Sequence, residues 1–173
     1  MTRYRMPMIA LASSLLLAGC SNLGNLTSGT DDPCQALQSV VADHSSGFES
    51  FRGSGSSYRL VTIYRAKEEL IRGHCEIWAW GNKESAYTCT LGTPNREVSQ
   101  ARFAQAEEKM TRCLGTAWST ESAIRERDGK PAGEVVRFRN RGGNGPVVSL
   151  LRIDDRNHQS VNLYIGSVDR EAK

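Results

Sequence analysis

The chain has 173 residues, with 22 Lys or Arg against 19 Asp or Glu, five cysteines and three histidines. That length supports one hydrophobic core and is short for two domains. A formal charge of +3 is too small to make the whole chain a nucleic-acid-binding polycation, and no internal repeat is visible.

Arg3 and Arg5 precede an apolar run from Met8 to Ala18, too short to span a bilayer comfortably, which is the pattern of an export signal. The run ends in Leu17-Ala18-Gly19-Cys20, a quartet that resembles the lipobox of bacterial lipoproteins. The resemblance implies a cut before Cys20, with its thiol carrying lipid through a thioether. Each buried methylene of an acyl chain contributes about 0.8 kcal/mol, so several chains hold the protein on a membrane essentially permanently. Ser21 stands where many inner-membrane lipoproteins carry aspartate, and by resemblance to those sorting rules the expected address is the outer membrane, facing the periplasm. Removing Arg3 and Arg5 leaves 20 basic against 19 acidic residues, a nearly neutral mature chain. The expected organisation is a signal peptide over 1–19, a lipidated cysteine and flexible tether over 20–30, one α+β domain over 31–168, and a polar tail over 169–173.

With Cys20 spent on lipid, Cys34, Cys75, Cys89 and Cys113 remain, an even set that reads as two disulfides in an oxidising compartment. Zinc would favour paired C-x-x-C knuckles, which these spacings lack, so no metal is expected. Two apolar-rich runs, His74 to Trp80 and Ser85 to Leu91, flank the turn-like Gly81-Asn82-Lys83. Reflection about Asn82 sets Cys75 opposite Cys89, Ile77 opposite Tyr87 and Trp78 opposite Ala86. Opposed Cβ atoms on antiparallel strands lie about 4.5–5.5 Å apart, near the disulfide range. Cys34 is then left for Cys113.

In chain order, Asp31-Asp32-Pro33 opens a first helix, with Cys34, Leu37, Val41 and Phe48 at helical spacing and Val40 beside them. Gly53-Ser54-Gly55-Ser56-Ser57 reads as a loop, and Tyr58 to Tyr64 as the first strand. Arg65 to Gly73 is open between a short helix and a lead into the hairpin. Thr93-Pro94 begins a second helix running to about Leu114 and stopped by Gly115, with Phe103, Ala106, Met110, Cys113 and Leu114 on one face. Four strands follow, Ser119 to Arg127, Gly133 to Arg139, Val147 to Ile153 and Gln159 to Ile165. The expected class is α+β, an antiparallel sheet with two helices on one face, order α-β-β-β-α-β-β-β-β, and two disulfides.

His44, His74 and His158 fall on separate elements, and no nucleophile elbow or metal-binding His pair is present, so an enzyme, a metal or another cofactor is not expected. A distant carboxylate pair drawn from Glu49, Glu76, Glu121, Glu126, Asp154 and Asp155 is the remaining catalytic option. Two surface features are candidates for binding. Arg137, Arg139 and Arg141 recur every second residue, on one strand face and its loop, with Arg152 or Arg156 as possible additions; the alternative is a solvated sheet face. Trp78 and Trp80 share a strand face opposite Cys75 and Ile77, either as a contact patch or as core. A cystine-bound domain on a lipid tether resembles in plan the periplasmic inhibitors and secretion-effector immunity lipoproteins. The expected function is a lipid-anchored protein-binding module of that kind, or else an accessory lipoprotein of an envelope machine. Its expected partners are the membrane, through the lipid on Cys20, and a protein; nucleic acid is not among them.

Overall fold

A computed structural model describes residues 30–155 and 158–170. The lipobox with Cys20, almost all of the expected tether, Arg156 and the end of the polar tail lie outside the described residues. Among the described residues no helix is long and apolar enough to cross a membrane.

Helix α1 (Pro33–Ala42) starts where Asp32 accepts a hydrogen bond from the backbone N–H of Gln35 at 3.0 Å, with Pro33 in the first turn. The helix stops earlier than the spacing of Phe48 predicts. A 3-10 turn over Asp43–Ser46 and two left-handed residues, Gly47 (φ 73°) and Phe48 (φ 63°), reverse the chain. Phe48 is thus buried by a turn, its ring 6.2 Å from that of Tyr87.

Strands β1 (Arg52–Ser57), β2 (Val61–Ala66), β3 (His74–Trp80) and β4 (Ser85–Thr93) form a first antiparallel meander. Helix α2 (Arg96–Leu114) follows, capped by Asn95 accepting from Val98 N–H at 2.9 Å. Strands β5 (Trp118–Arg127), β6 (Lys130–Asn140), β7 (Val147–Asp155) and β8 (His158–Gly166) form a second meander. Because β4 pairs with β8, the order across the sheet is β1-β2-β3-β4-β8-β7-β6-β5. A helix followed by a four-stranded meander therefore occurs twice, the halves related by an approximate dyad between β4 and β8. The sequence carries no visible trace of this repeat.

The first half has one strand more than expected, since Gly53 to Ser57, read as a loop, lies within β1. It pairs with β2 despite its weak β propensity, and the close approach requires glycine, since a Cβ at Gly55 would sit 2.5 Å from the Tyr64 ring. The next strand correspondingly begins at Val61, which leaves Tyr58 and Leu60 in the turn, 62% and 75% exposed. On β6, Ala132 and Gly133 together oppose Arg125, a bulge of the long strand; Gly133 has φ 133°, and a Cβ there would meet the Arg152 carbonyl oxygen at 1.8 Å.

Both helices cover one face of the sheet. Leu37, Val40 and Phe48 from the first half and Phe103, Met110 and Leu114 from α2 pack with Ile77, Tyr87, Phe138, Leu150 and Leu163. Cys75 faces Cys89 in the register expected for the hairpin, and the two are bonded; Cys34 and Cys113 join the start of α1 to the end of α2. Tyr87 seals the floor beneath α1, donating its hydroxyl to the Glu68 carbonyl at 2.6 Å, and burial pushes that phenol well above its ordinary pKa.

Candidate functional site

The face of the sheet opposite the helices carries both features singled out in the sequence. On β3, Cys75 and Ile77 point into the helix-covered core, so Glu76, Trp78 and Trp80 point outward by strand alternation. On β6, Val136 and Phe138 point into that core, so Arg137 and Arg139 point outward on the same face as the tryptophans. Nothing in the one-dimensional pattern could relate these faces, because β3 and β6 neighbour each other only through β4, β8 and β7. Four strand spacings place the two sets about 19 Å apart.

The tryptophan end is the more apolar. Trp78 is 37% exposed, and its ring centroid lies 6.2 Å from that of the half-buried Trp80. Across the pairing to β2, Ile63 lies opposite Trp78 and Val61 opposite Trp80. Tyr58 and Leu60 in the β1–β2 turn extend the patch beyond the strands, and the Arg170 guanidinium stacks 4.6 Å over the Trp80 ring. Arg170 also bonds Glu84, which Asn82 contacts from the other side; those hydrogen bonds, Asn82 first, hold the Glu84 carboxyl below its ordinary pKa. Trp78 is itself aimed by a hydrogen bond from its indole Nε1 to Glu76 at 2.9 Å, and Glu76 is in turn 2.7 Å from His74 Nε2.

Tyr58 and Leu60 were missed in the sequence because the β-rich run from Tyr58 to Tyr64 absorbed them into a strand. The preceding Ser56-Ser57 and the β-branched start at Val61 were the available signs of a turn.

At the arginine end, Arg137 lies opposite Glu121 on β5 and Ser149 on β7, while Arg139 lies opposite Ser119. Arg141 sits past the end of β6 in the loop to β7, its backbone N–H bonded to the Ala117 carbonyl at 2.9 Å. Arg152 does not join them. It points to the helix side, 8% exposed, and bonds Glu134 at 2.7 Å and Asp154 at 3.4 Å. The strip between the arginines and the tryptophans carries smaller or flattened groups: Ala86 and Thr88 on β4, Gly166 and Tyr164 on β8, and Val147 and Ser149 on β7. Of these, Ala86, Val147 and Tyr164 form a small buried cluster with Val135 and Leu151, against which Trp80 packs.

The carboxylates considered for catalysis are dispersed. Asp154 faces the helix side beside Arg96, at 2.5 Å, and Arg152, while Asp155 on the next position pairs with Arg127. Asp154, Asp155, Arg96 and Arg127 line an open cavity of roughly 710 Å³ at the start of α2, together with Lys130 and Gln159. Burial alone would raise the Asp154 carboxyl, but a hydrogen bond from Gln159 and the guanidiniums of Arg96 and Arg152 outweigh it and hold the group below its ordinary value. A carboxylate kept ionised in this way suits a tie between α2 and the β7–β8 hairpin. It is the opposite of the raised pKa a general acid needs.

His44 lies edge-on to Phe48 at 5.6 Å, and burial lowers its pKa, as for a neutral packing residue. Among the described residues, no group of three or more His, Cys, Asp or Glu side chains is placed to hold a metal ion. The chain matches no family model, and no curated protein or solved structure is significantly similar to it.

Proposed function

We propose that the mature chain is a lipid-anchored, periplasm-facing protein-binding module, of the inhibitor or immunity-lipoprotein kind, whose partner docks on the sheet face opposite the helices. The observation that carries this reading is the placement of Trp78 and Trp80 on the same face as Arg137 and Arg139, continued by the exposed Tyr58 and Leu60. Trp, Tyr and Arg are the residues that most often dominate binding energy at protein interfaces. A standard interface buries about 800 Å² on each partner, a patch roughly 30 Å across, wide enough to span both ends of the face. The lipid on Cys20 would hold the module within a tether's reach of the membrane.

The test places a photo-crosslinking residue at Trp78, at Arg139, or at Gln105 on the exposed side of α2, in the full-length chain in its native cells. Capture of the same protein from Trp78 and Arg139 but not from Gln105 supports the reading. Equal capture from Gln105, or unrelated proteins from the two sheet positions, overturns it. The anchor is tested separately: Cys20→Ala should abolish acyl labelling and membrane retention, and a variant that still takes up a palmitate analogue refutes lipidation at this residue.

A further inference from the structure

An open sheet has two edges, each with a row of backbone N–H and C=O groups facing outward and able to pair with another strand. At one edge β1 is short, six residues of Arg-Gly-Ser-Gly-Ser-Ser, with an irregular register between Arg52 and Gly55. Such an edge is blunted in the ways natural proteins use against edge pairing. At the other edge β5 runs ten residues without proline or glycine, and the bulge in the β5–β6 ladder lies on β6, so β5 itself is regular. Thr120 to Ile124 are exposed without a break, Ile124 at 64%, and among the described residues nothing pairs with the far side of β5.

We propose that this edge pairs with the same edge of a second copy, making one continuous sixteen-stranded sheet across a twofold axis at Ala123. The register is chosen for opposite charges across the axis. In an antiparallel pair opposed residues share a face, so a twofold axis perpendicular to the sheet must pass through a residue of β5. Centred on Ala123, nine residues pair, 119–127, and Glu121 lies opposite Arg125 of the other copy, twice by symmetry. Centred on Ser122, nine residues also pair, 118–126, but Glu121 then meets Ala123 and Arg125 meets Ser119. Centred on Glu121, the same strand would set Glu121 against itself, a directly opposed like-charge pair. Centred on Ile124, only seven residues pair, and Arg127 would have to leave Asp155 to meet Glu121.

Arg125 fits the Ala123 register: it is half-buried, and its shielded Nε has no hydrogen-bond partner among the described residues. A carboxylate arriving from the second copy supplies an acceptor for that guanidinium. The outward row then alternates Arg137, Glu121 and Arg125 of the second copy. On the helix side, the exposed Ile124 lies beside Ser122 of the second copy.

The test uses the full-length chain, expressed so that it is exported to an oxidising compartment. Ala123→Cys places two cysteines across the axis at the about 4.5–5.5 Å Cβ separation of opposed strand residues, and should give a disulfide-linked dimer on non-reducing gels; Gln105→Cys should stay monomeric. Light-scattering mass of the purified wild-type chain should be twice the monomer mass. Because symmetry doubles each contact, Glu121→Arg or Arg125→Glu alone should weaken dimerisation about tenfold or more, and the two together should restore it. A wild-type chain that stays monomeric at its highest soluble concentration overturns the proposal. So does an Ala123→Cys variant that links no better than the Gln105→Cys control, or a charge swap that fails to restore the dimer.

Discussion

The two disulfides should differ in what they contribute, and the difference can be worked out from the fold. Cys75 and Cys89 close a span of 14 residues, Cys34 and Cys113 a span of 79. If a crosslink stabilises by restricting the unfolded chain, the loop-entropy relation gives about 3.0 kcal/mol for the short span and about 4.5 kcal/mol for the long one at 25 °C. Packing works against that order. Cys75 and Cys89 are 3% and 1% exposed, whereas Cys34 is only half-buried, so alanine leaves the larger void at the hairpin. That extra void is worth about one buried methylene-sized group, roughly 0.8 kcal/mol. It narrows the gap without reversing it. Cys34→Ala/Cys113→Ala should therefore lose more stability than Cys75→Ala/Cys89→Ala, by roughly 0.5–1.5 kcal/mol. Urea unfolding followed by far-UV circular dichroism, extrapolated to water, measures both. A hairpin variant that loses as much as the helix-linking variant, or more, would show that native packing rather than unfolded-chain entropy governs these crosslinks.

Gly133→Ala should lower stability by about 3 kcal/mol or more, because its Cβ would fall 1.8 Å from the Arg152 carbonyl oxygen at a left-handed φ; thermal melts or loss of soluble protein report it. Tyr87→Phe should cost about 1–2 kcal/mol in the same urea assay, since it strips the Glu68 carbonyl of its buried donor. The folded-state pKa of Asp154 is depressed, so its contribution is complete above the unfolded value, about 3.9, and is lost as pH falls through the folded value. Stability should thus drop on acidification below about pH 4, and Asp154→Asn should flatten that part of the profile of urea midpoints; an unchanged slope would remove Asp154 as its source. Once a partner is captured, Trp78→Ala should weaken binding by about 2 kcal/mol if that indole is a central contact, with the melting temperature near wild type. Arg137→Ala/Arg139→Ala should weaken it further, and affinity unchanged in all of these variants would dissociate the face from binding.

The parts of this fold legible in the sequence are those fixed by local rules. Asp32-Pro33 marks the start of α1 through a side chain that satisfies a neighbour's N–H donor, Thr93-Pro94 announces α2 just ahead of its actual cap at Asn95, and reflection about Asn82 gives the β3–β4 register from the turn alone. The four strands after α2 emerge because each β-rich run is longer than the short Gly-, Pro-, Asn- or Asp-bearing turns that bound it. What stayed hidden is non-local. The strand at Arg52–Ser57 has no intrinsic β preference and exists because Tyr64 and Arg65 lie alongside it. The β4–β8 contact joins segments whose order in the chain gives no hint of adjacency, so neither the repeated helix-and-meander plan nor the common face of Trp78 and Arg139 could be read in advance. Arg152 shows the same limit in reverse. Its spacing allowed it beside Arg137 and Arg139, but strand parity on β7 turns it inward, to Glu134 and Asp154.

The approximate dyad also sets the two proposed interaction surfaces apart on one small domain. Each half supplies its fourth strand to the centre and leaves its first strand at an edge, so the sheet must end in β1 and β5. A six-residue Gly/Ser strand at one end and a ten-residue charged strand at the other make those edges unequal in what they can accept. The same asymmetry runs over the outer face, apolar and aromatic beside the β1 edge and basic toward the β5 edge. Pairing through β5 brings the two basic ends together at the middle of the extended sheet and leaves the aromatic ends outermost, free to contact other molecules. The mutations therefore separate the two surfaces. Glu121→Arg should release the dimer while leaving the Trp78 contact in place, and Trp78→Ala should do the reverse. Should Glu121→Arg weaken both, with the Glu121→Arg/Arg125→Glu swap restoring both, the partner would have to bind across the twofold axis, on the arginines of both copies at once.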